Sequence, residues 1–255
     1  MLKLEVENFL KDIGSGANQL GHEIYIVGGF VREGLYAEFH HSKATEVQDI
    51  DLVINTDAIA FTNQFQKYYE DNHPEHRTFN IVETFPSFGT CKVSHPDFPE
   101  YKIELASTRT ETYSEPAAFP KVELIGGFEQ DLPRRDFTIN ALLESLNKKS
   151  YGDIIDHVKG INDLQEGLIR VFHKDSFIDD PTRIIRAIRF ALKYNFKIEP
   201  ETKTLIEAAL AHPSFPDWQK SRKNRFQIEL EKIPASLREK NGVNDEAIHL
   251  LESFT

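Results

Sequence analysis

Two stretches hold residues whose types and spacing can do chemistry together. In Gln48-Asp-Ile-Asp-Leu-Val53, two aspartates alternate with apolar residues, so a strand places Asp49 and Asp51 on one face. Carboxylates so placed repel unless a cation lies between them. In Ile24-Tyr-Ile-Val-Gly-Gly-Phe-Val-Arg32, an apolar run enters Gly28-Gly29 and then a helical pattern. Backbone N–H groups at a helix start are a natural seat for phosphate. Together the stretches suggest a site for a metal-bound nucleoside triphosphate, suited to phosphoryl-type transfer onto a hydroxyl. The glycines belong neither to a Walker loop, since no Gly-Lys-Ser/Thr follows, nor to a dinucleotide fingerprint; Arg32 supplies the charge instead.

Other candidates are weaker singly. Glu104 alternates with Ile103 and Leu105 in a strand-like run and is either a third carboxylate beside Asp49 and Asp51 or a solvent-facing strand residue. Arg134-Arg135-Asp136, at an expected helix start, suits bidentate phosphate contacts and an acceptor for a ribose hydroxyl; a plain N-terminal Asp with surface arginines is the bland reading. Asp180-Pro-Thr-Arg183 places an acid and a guanidinium at i and i+3, where a surface salt bridge is the ordinary outcome. The alternative has a sharp consequence. A carboxylate accepting from an exocyclic amine, beside a guanidinium donating to the adjacent ring nitrogen, selects cytosine and adenine and rejects uracil and guanine.

The positioning elements follow from pattern. Residues 1–20 predict a helix broken near Gly14-Ser-Gly16, followed by strand 24–27, helix 30–39 and the aspartate strand. Asp57–Glu70 predicts a helix with Asp57 as N-cap. Residues 79–107 read as a strand meander. Pro116-Ala-Ala-Phe-Pro120 is a rigid connector, strand Lys121–Ile125 comes next, and Phe137–Leu146 reads as a buried helix. Ile154–Gly167 reads as a short strand and loop, and Arg170-Val-Phe172 as another strand. Helices follow at Asp179–Tyr194, Glu201–Ala211, Lys220–Ile233 and about Glu246–Leu251. On the first, Ile184, Ile185, Ile188 and Leu192 oppose Arg183, Arg186 and Arg189. The chain thus reads as α+β to about residue 150 and all-helical after about 173. His40-His41, His73 and His76 read as surface loop residues.

Composition narrows the function classes. The 255 residues carry a formal charge of −11, against a general nucleic-acid binder. The imbalance is local: residues 1–131 hold 10 Lys+Arg against 22 Asp+Glu, and 132–255 hold 20 against 19, with basic clusters at Arg183–Lys193 and Lys220–Arg225. RNA contacts are therefore expected in the second half. One cysteine, Cys91, excludes an internal disulfide framework and points to a reducing cytoplasm. Neither an apolar run of membrane-span length nor a secretory leader is apparent, so no membrane partner is expected.

The successive motifs Gly28-Gly-Phe-Val-Arg32…Asp49-Ile-Asp51, Arg134-Arg-Asp-Phe-Thr-Ile-Asn-Ala141 and Asp180-Pro-Thr-Arg-Ile-Ile-Arg-Ala-Ile-Arg-Phe190 resemble those of the class II tRNA nucleotidyltransferases and bacterial poly(A) polymerases. The resemblance covers about residues 22–230. It implies an α+β head of the DNA polymerase β type over residues 1–150 and an all-helical neck over 151–255. It also implies Mg²⁺ at Asp49 and Asp51, with ribose and phosphate contacts from Arg134, Arg135 and Asp136 and base selection by Asp180 and Arg183. Asn140, Arg186 and Arg189 count with the same nucleotide-binding set. Asp156…Gly160…Asp163 resembles the family's hinge, and Arg225…Glu229 its last motif. The implied activity is addition of C and/or A from CTP or ATP to a tRNA 3′ end. Poly(A) synthesis and a catalytically weak RNA-binding module are the alternatives. Glu33 stands where the family usually has Asp, and Asp179 where it has Glu. The connector 113–120 lacks the arginine-bearing loop of many CCA-adding members, which favours addition of the terminal A alone. About 25 residues follow the last motif, so the family's body and tail helices are expected to be absent.

Overall fold

A computed structural model describes residues 3–43, 45–75, 78–238 and 245–254, so His76 lies outside the described residues. The chain divides into two compact units. The first comprises residues 1–111, 122–134 and 140–160; the second comprises 112–121, 135–139 and 161–255. The main division falls inside the Asp156…Gly160…Asp163 motif, and a second falls between Arg134 and Arg135.

The first unit contains α1 (Leu4–Gln19), β1 (Ile24–Val27), α2 (Gly29–Phe39), β2 (Asp49–Ile54), α3 (Ala58–Asn72), β3 (Asn80–Phe85), β4 (Thr90–Ser94) and β5 (Lys102–Ser107). The ribbon of β6 (Arg109–Thr112) and β7 (Lys121–Leu124) follows, its tip belonging to the second unit. Then come a turn of helix α4 (Phe128–Asp131), β8 (Leu143–Ser145) and β9 (Ile154–Ile155). Seven strands form one mixed sheet in the order β3-β4-β5-β2-β1-β8-β9, with β2 parallel to β5 and the other pairs antiparallel. Asp57 caps α3 as its sequence position predicts, accepting from the amides of Ile59 and Ala60.

Three expectations change here. Helix α1 is continuous through Gly14 and Gly16. These glycines are sites of close approach: a Cβ at Gly14 would lie 2.0 Å from the Leu146 carbonyl oxygen, and one at Gly16 would lie 2.6 Å from the Phe65 ring. Alanine normally gains about 1 kcal/mol over glycine inside a helix. At Gly14 the sign reverses, because the obstruction is backbone. Gly14→Ala is expected to lose about 2–3 kcal/mol of stability, read as a lower urea midpoint; an unchanged or higher midpoint would contradict the close approach. Second, Phe137–Leu146 is not a helix. It holds a 3₁₀ turn at Thr138–Asn140 and then β8, which pairs with the open edge of β1. Every residue from Phe137 to Leu143 is buried, so the apolar run reflects burial of a whole irregular segment and not one face of a helix. Third, the segment after β9 is a helix, α5 (Gly160–Glu166), rather than a loop.

In the second unit, β10 (Leu168–Ile169) pairs in parallel with β11 (Lys197–Ile198), so the region after 173 is helical but not wholly so. The expected helix 179–194 starts later, as α7 (Thr182–Tyr194), and a separate turn of helix, α6 (Ser176–Asp179), precedes it; the two are parted at Asp180-Pro181 because the residue before proline disfavours helical backbone. Then come α8 (Pro200–Leu210), α9 (Phe215–Ser221), α10 (Lys223–Glu231) and α11 (Asp245–Glu252). Helix α7 is buried on nearly every side, Arg183 included, and its Phe190 meets Phe137 edge-on at 5.8 Å. Among the described residues, no helix is long and apolar enough to cross a membrane.

Candidate active site

The chemistry-bearing end of the first unit is built by strand register. Residues paired across a sheet share a face. Asp51 lies opposite Val27 of β1 and Glu104 of β5, and Asp49 lies opposite Lys102. Both aspartates are solvent-exposed, and the Lys102 ammonium stands 3.9 Å from Asp49. Toward β1 and β8 that face is apolar, with Tyr25, Val27, Val53 and Leu143 packed under Phe128 and Ile155, whereas toward β5 and β4 it carries Lys102, Glu104 and Lys92. Asp49 and Asp51 thus stand exposed beyond the covered apolar patch and take no part in its packing.

Gly28 bends the chain between β1 and α2 with φ 78° and ψ −131°, a conformation open to glycine. A Cβ there would stand 3.4 Å from the Asp51 carboxylate, so the bare turn brings the first amides of α2 close to that acid. Arg32 is turned inward. It is 6% exposed, and its guanidinium donates to the Asn140 amide oxygen and pairs with Glu33 at 3.2 Å. It braces the glycine turn instead of presenting an open charge, and Asn140 is its acceptor. Glu104 is half-buried between Asp51 and Lys92 in the same rung. Among the described residues, no group of three or more His, Cys, Asp or Glu side chains gathers closely enough to hold a metal ion. The oxygen-only pair at Asp49 and Asp51 suits a hard divalent cation.

Arg134 closes a 3₁₀ turn, not a helix start. Its Nε donates to Asp131 at 2.7 Å, and Asp131, fully buried, also accepts the Arg109 amide at 2.9 Å. Arg109 is clamped by Glu111 and the Phe88 carbonyl, and burial lowers its pKa. The sequence gives little sign of this cluster beyond the i, i+3 spacing of Asp131 and Arg134.

In the second unit, Arg135 is half-buried in an irregular bend. Asp136 is 8% exposed; it accepts its neighbour's amide and the Nε of Arg186 at 2.8 Å. Glu229 lies between Arg186, Arg189 and Lys232. Arg186 and Arg189 are thus half-buried partners in an ion network around the buried Asp136 and Glu229. Arg186 is held protonated more firmly than usual, first by Asp136 and also by Glu229. Asp180 is not helical. One of its oxygens accepts from the Thr182 amide and hydroxyl at the start of α7, and the other pairs with Arg225 at 2.7 Å. Arg183, 5% exposed, donates to the Ser176 hydroxyl at 2.7 Å. Arg225 and Glu229, the pair that resembles the family's last motif, hold Asp180 and the α7 arginines respectively, partners that spacing alone does not show. Of the histidines, His40 and His41 are exposed, whereas His73 docks on Asp12 at 3.2 Å.

The mixed sheet, with its glycine turn and aspartate strand, together with a largely helical second unit, defines a nucleotidyltransferase head of the DNA polymerase β type with a helical region after it. The poly A polymerase head domain family matches residues 24–170, and the chain belongs to the class II tRNA nucleotidyltransferase and poly(A) polymerase family. It is 41% identical over 186 residues to the A-adding tRNA nucleotidyltransferase of Aquifex aeolicus, covering 73% of this chain and 20% of that one. To the A-adding enzyme of Halalkalibacterium halodurans it is 34% identical, covering 78% and 42%. The Thermotoga maritima CCA-adding enzyme complexed with tRNA superposes with a TM-score of 0.72 at 30% identity, over 99% of this chain and 52% of that one. The chain therefore spans between about a fifth and a half of the length of these relatives.

Proposed function

We propose that the chain carries the nucleotidyl-transfer centre of a template-independent, Mg²⁺-dependent tRNA nucleotidyltransferase, adding C and/or A from CTP or ATP to the tRNA 3′ end in the cytoplasm. The observation that carries the reading is the register of β1 on β2, which sets the Asp51 carboxylate against the bare glycine turn at the N-terminus of α2. Asp49 and Asp51 hold the metal, and the amides of α2 take the triphosphate. Bound Mg²⁺ supplies charge neutralisation on the triphosphate and activation of the 3′-hydroxyl. Asp136, already bonded to Arg186, is the acceptor for a ribose hydroxyl, and Arg134 and Arg135 are the phosphate donors. Residues 1–150 then act as the head and 151–255 as the neck.

Base choice falls to Asp180 and Arg183. Reading cytosine or adenine exchanges the Arg225 contact of Asp180 for the exocyclic amine, and the Ser176 contact of Arg183 for the ring nitrogen. The connector without an arginine loop favours A as the main product, and relatives named as A-adding support the same choice.

The test offers tRNA lacking the whole CCA, its last two residues or only its terminal A, with each triphosphate supplied separately. A single A added to the RNA ending in CC is the expected product. No incorporation on any acceptor, or long A runs on unstructured RNA with tRNA ignored, would overturn the reading. In the same assay Asp180→Ala is expected to lower the preference for C and A over U and G by about ten- to a hundredfold, the scale of one or two unmatched hydrogen bonds. An unchanged preference would remove Asp180 from base reading.

A further inference from the structure

We infer that Phe119, with the cations at the start of α10, forms a stacking platform for the single-stranded 3′ end of the acceptor RNA. The inference deepens the proposed function and rests on the reading of tRNA as acceptor. Phe119 is 76% exposed, the most exposed large apolar side chain among the described residues, on a loop that is nonetheless rigidly built. Prolines 116 and 120 bracket the loop, and Ala117 adopts φ 56°, a left-handed conformation costly for a residue with a Cβ. The fold secures that turn twice. The Ala117 amide donates to the Ile178 carbonyl at 2.9 Å, and its carbonyl accepts both Nε and Nη2 of Arg222, at 2.9 and 2.6 Å.

Arg222 is the pivot. It is 7% exposed, its Nη1 is buried without a hydrogen-bond partner, and its guanidinium lies over the Phe119 ring, 4.0 Å from the centroid. A buried cation thus holds a phenyl ring out in water. Folding alone would favour the reverse, since an exposed ring forgoes the gain of burial. Around this pivot, Lys220, Lys223 and Arg225 are exposed, so the segment 220–225 carries four cations and no acid in a chain of net charge −11. Interleaved cations and an open aromatic face match a single-stranded nucleic acid, whose bases stack while its phosphates meet the charges. Arg225 also contacts Asp180, so the platform adjoins the carboxylate assigned to base reading. That contiguity favours the acceptor end over an unrelated protein partner.

The test compares the full chain with Phe119→Ala, Phe119→Trp and the pair Lys220→Gln/Lys223→Gln. Its readouts are KM for tRNA, KM for ATP, and anisotropy of a labelled single-stranded RNA ending in CC. Phe119→Ala should weaken RNA binding and raise the tRNA KM about tenfold, within the range that loss of one base–aromatic stack produces. The KM for ATP should stay within about twofold, and Phe119→Trp should restore the tRNA KM. The lysine pair should weaken binding and flatten its salt dependence. Unaltered RNA binding in Phe119→Ala overturns the platform, as does an effect on ATP alone. If the wild type binds the RNA through Phe119 but transfers no nucleotide, the platform stands and the proposed function fails. If the wild type binds no RNA, the platform fails.

Discussion

Replacing Asp49 and Asp51 together by alanine is expected to lower nucleotide incorporation by at least about a thousandfold while leaving the protein folded. The size follows from the several kcal/mol of transition-state stabilisation that a metal-bound centre supplies. Retention of the fold follows from geometry. Both carboxylates are exposed at the end of a face whose apolar part is covered separately by Phe128. Surface substitutions of this kind change stability by about 0.5 kcal/mol or less, and removing like charges from one face can raise it. The measurement is single-turnover incorporation of labelled ATP, with thermal unfolding of the same preparations. Full incorporation by the double variant would remove Asp49 and Asp51 from the transfer centre and overturn the metal site proposed for them. Glu104→Gln separates two further outcomes. As a third carboxylate beside Asp51, Glu104 would account for a rate loss approaching that of Asp51→Asn. As a strand residue facing Lys92, it would leave the rate within about twofold.

Much of this site is legible before folding, and the rest is hidden for identifiable reasons. Asp49, Asp51 and Gly28-Gly29 are visible because strand alternation and a glycine turn are local rules: i, i+2 and a single φ above zero decide them. The residues that position them are not local. Arg32 looks like a free cation from its place after the glycines, and only Asn140, 108 positions later, makes it a buried brace. The arginines of α7 show the same limit. Their spacing sets them apart from the apolar face of the helix, but does not show how Asp136 and Glu229, from segments on either side in the chain, hold Arg186 and Arg189 half-buried in ion pairs. Strand β8 is misread for a different reason: it is three residues long and follows a segment buried from Phe137 to Leu143, which carries no period to read. Asp180 fails as a helical partner of Arg183 through Pro181, a local signal that the i, i+3 argument passed over.

That α7 network sets the second large expectation, a loss of stability in the second unit when its central carboxylate is neutralised. Glu229 is 7% exposed and joins Arg186, Arg189 and Lys232. Burial pushes its pKa up, but the Lys232 hydrogen bond and the charges of Arg186 and Arg189 outweigh that and hold it below the ordinary value. A group depressed on folding contributes stability at neutral pH, and that contribution is lost as pH falls through the folded value, below about 4.3. Glu229→Gln removes the charge without the shape and leaves two guanidiniums facing an amide. The expected cost is about 3 kcal/mol, the low end for breaking a buried pair because Arg186 and Lys232 reach solvent. Thermal unfolding should fall by roughly 10 °C. The variant should also lose part of the wild type's acid-sensitive step; Glu199, likewise held low against the opposing effect of its burial by the Thr202 and Glu201 amides, the Thr202 hydroxyl and Arg170, should keep its own share. A variant as stable as the wild type at pH 7, with the same acid profile, would show that Arg186 and Arg189 need no charge at position 229, with Asp136 still holding Arg186.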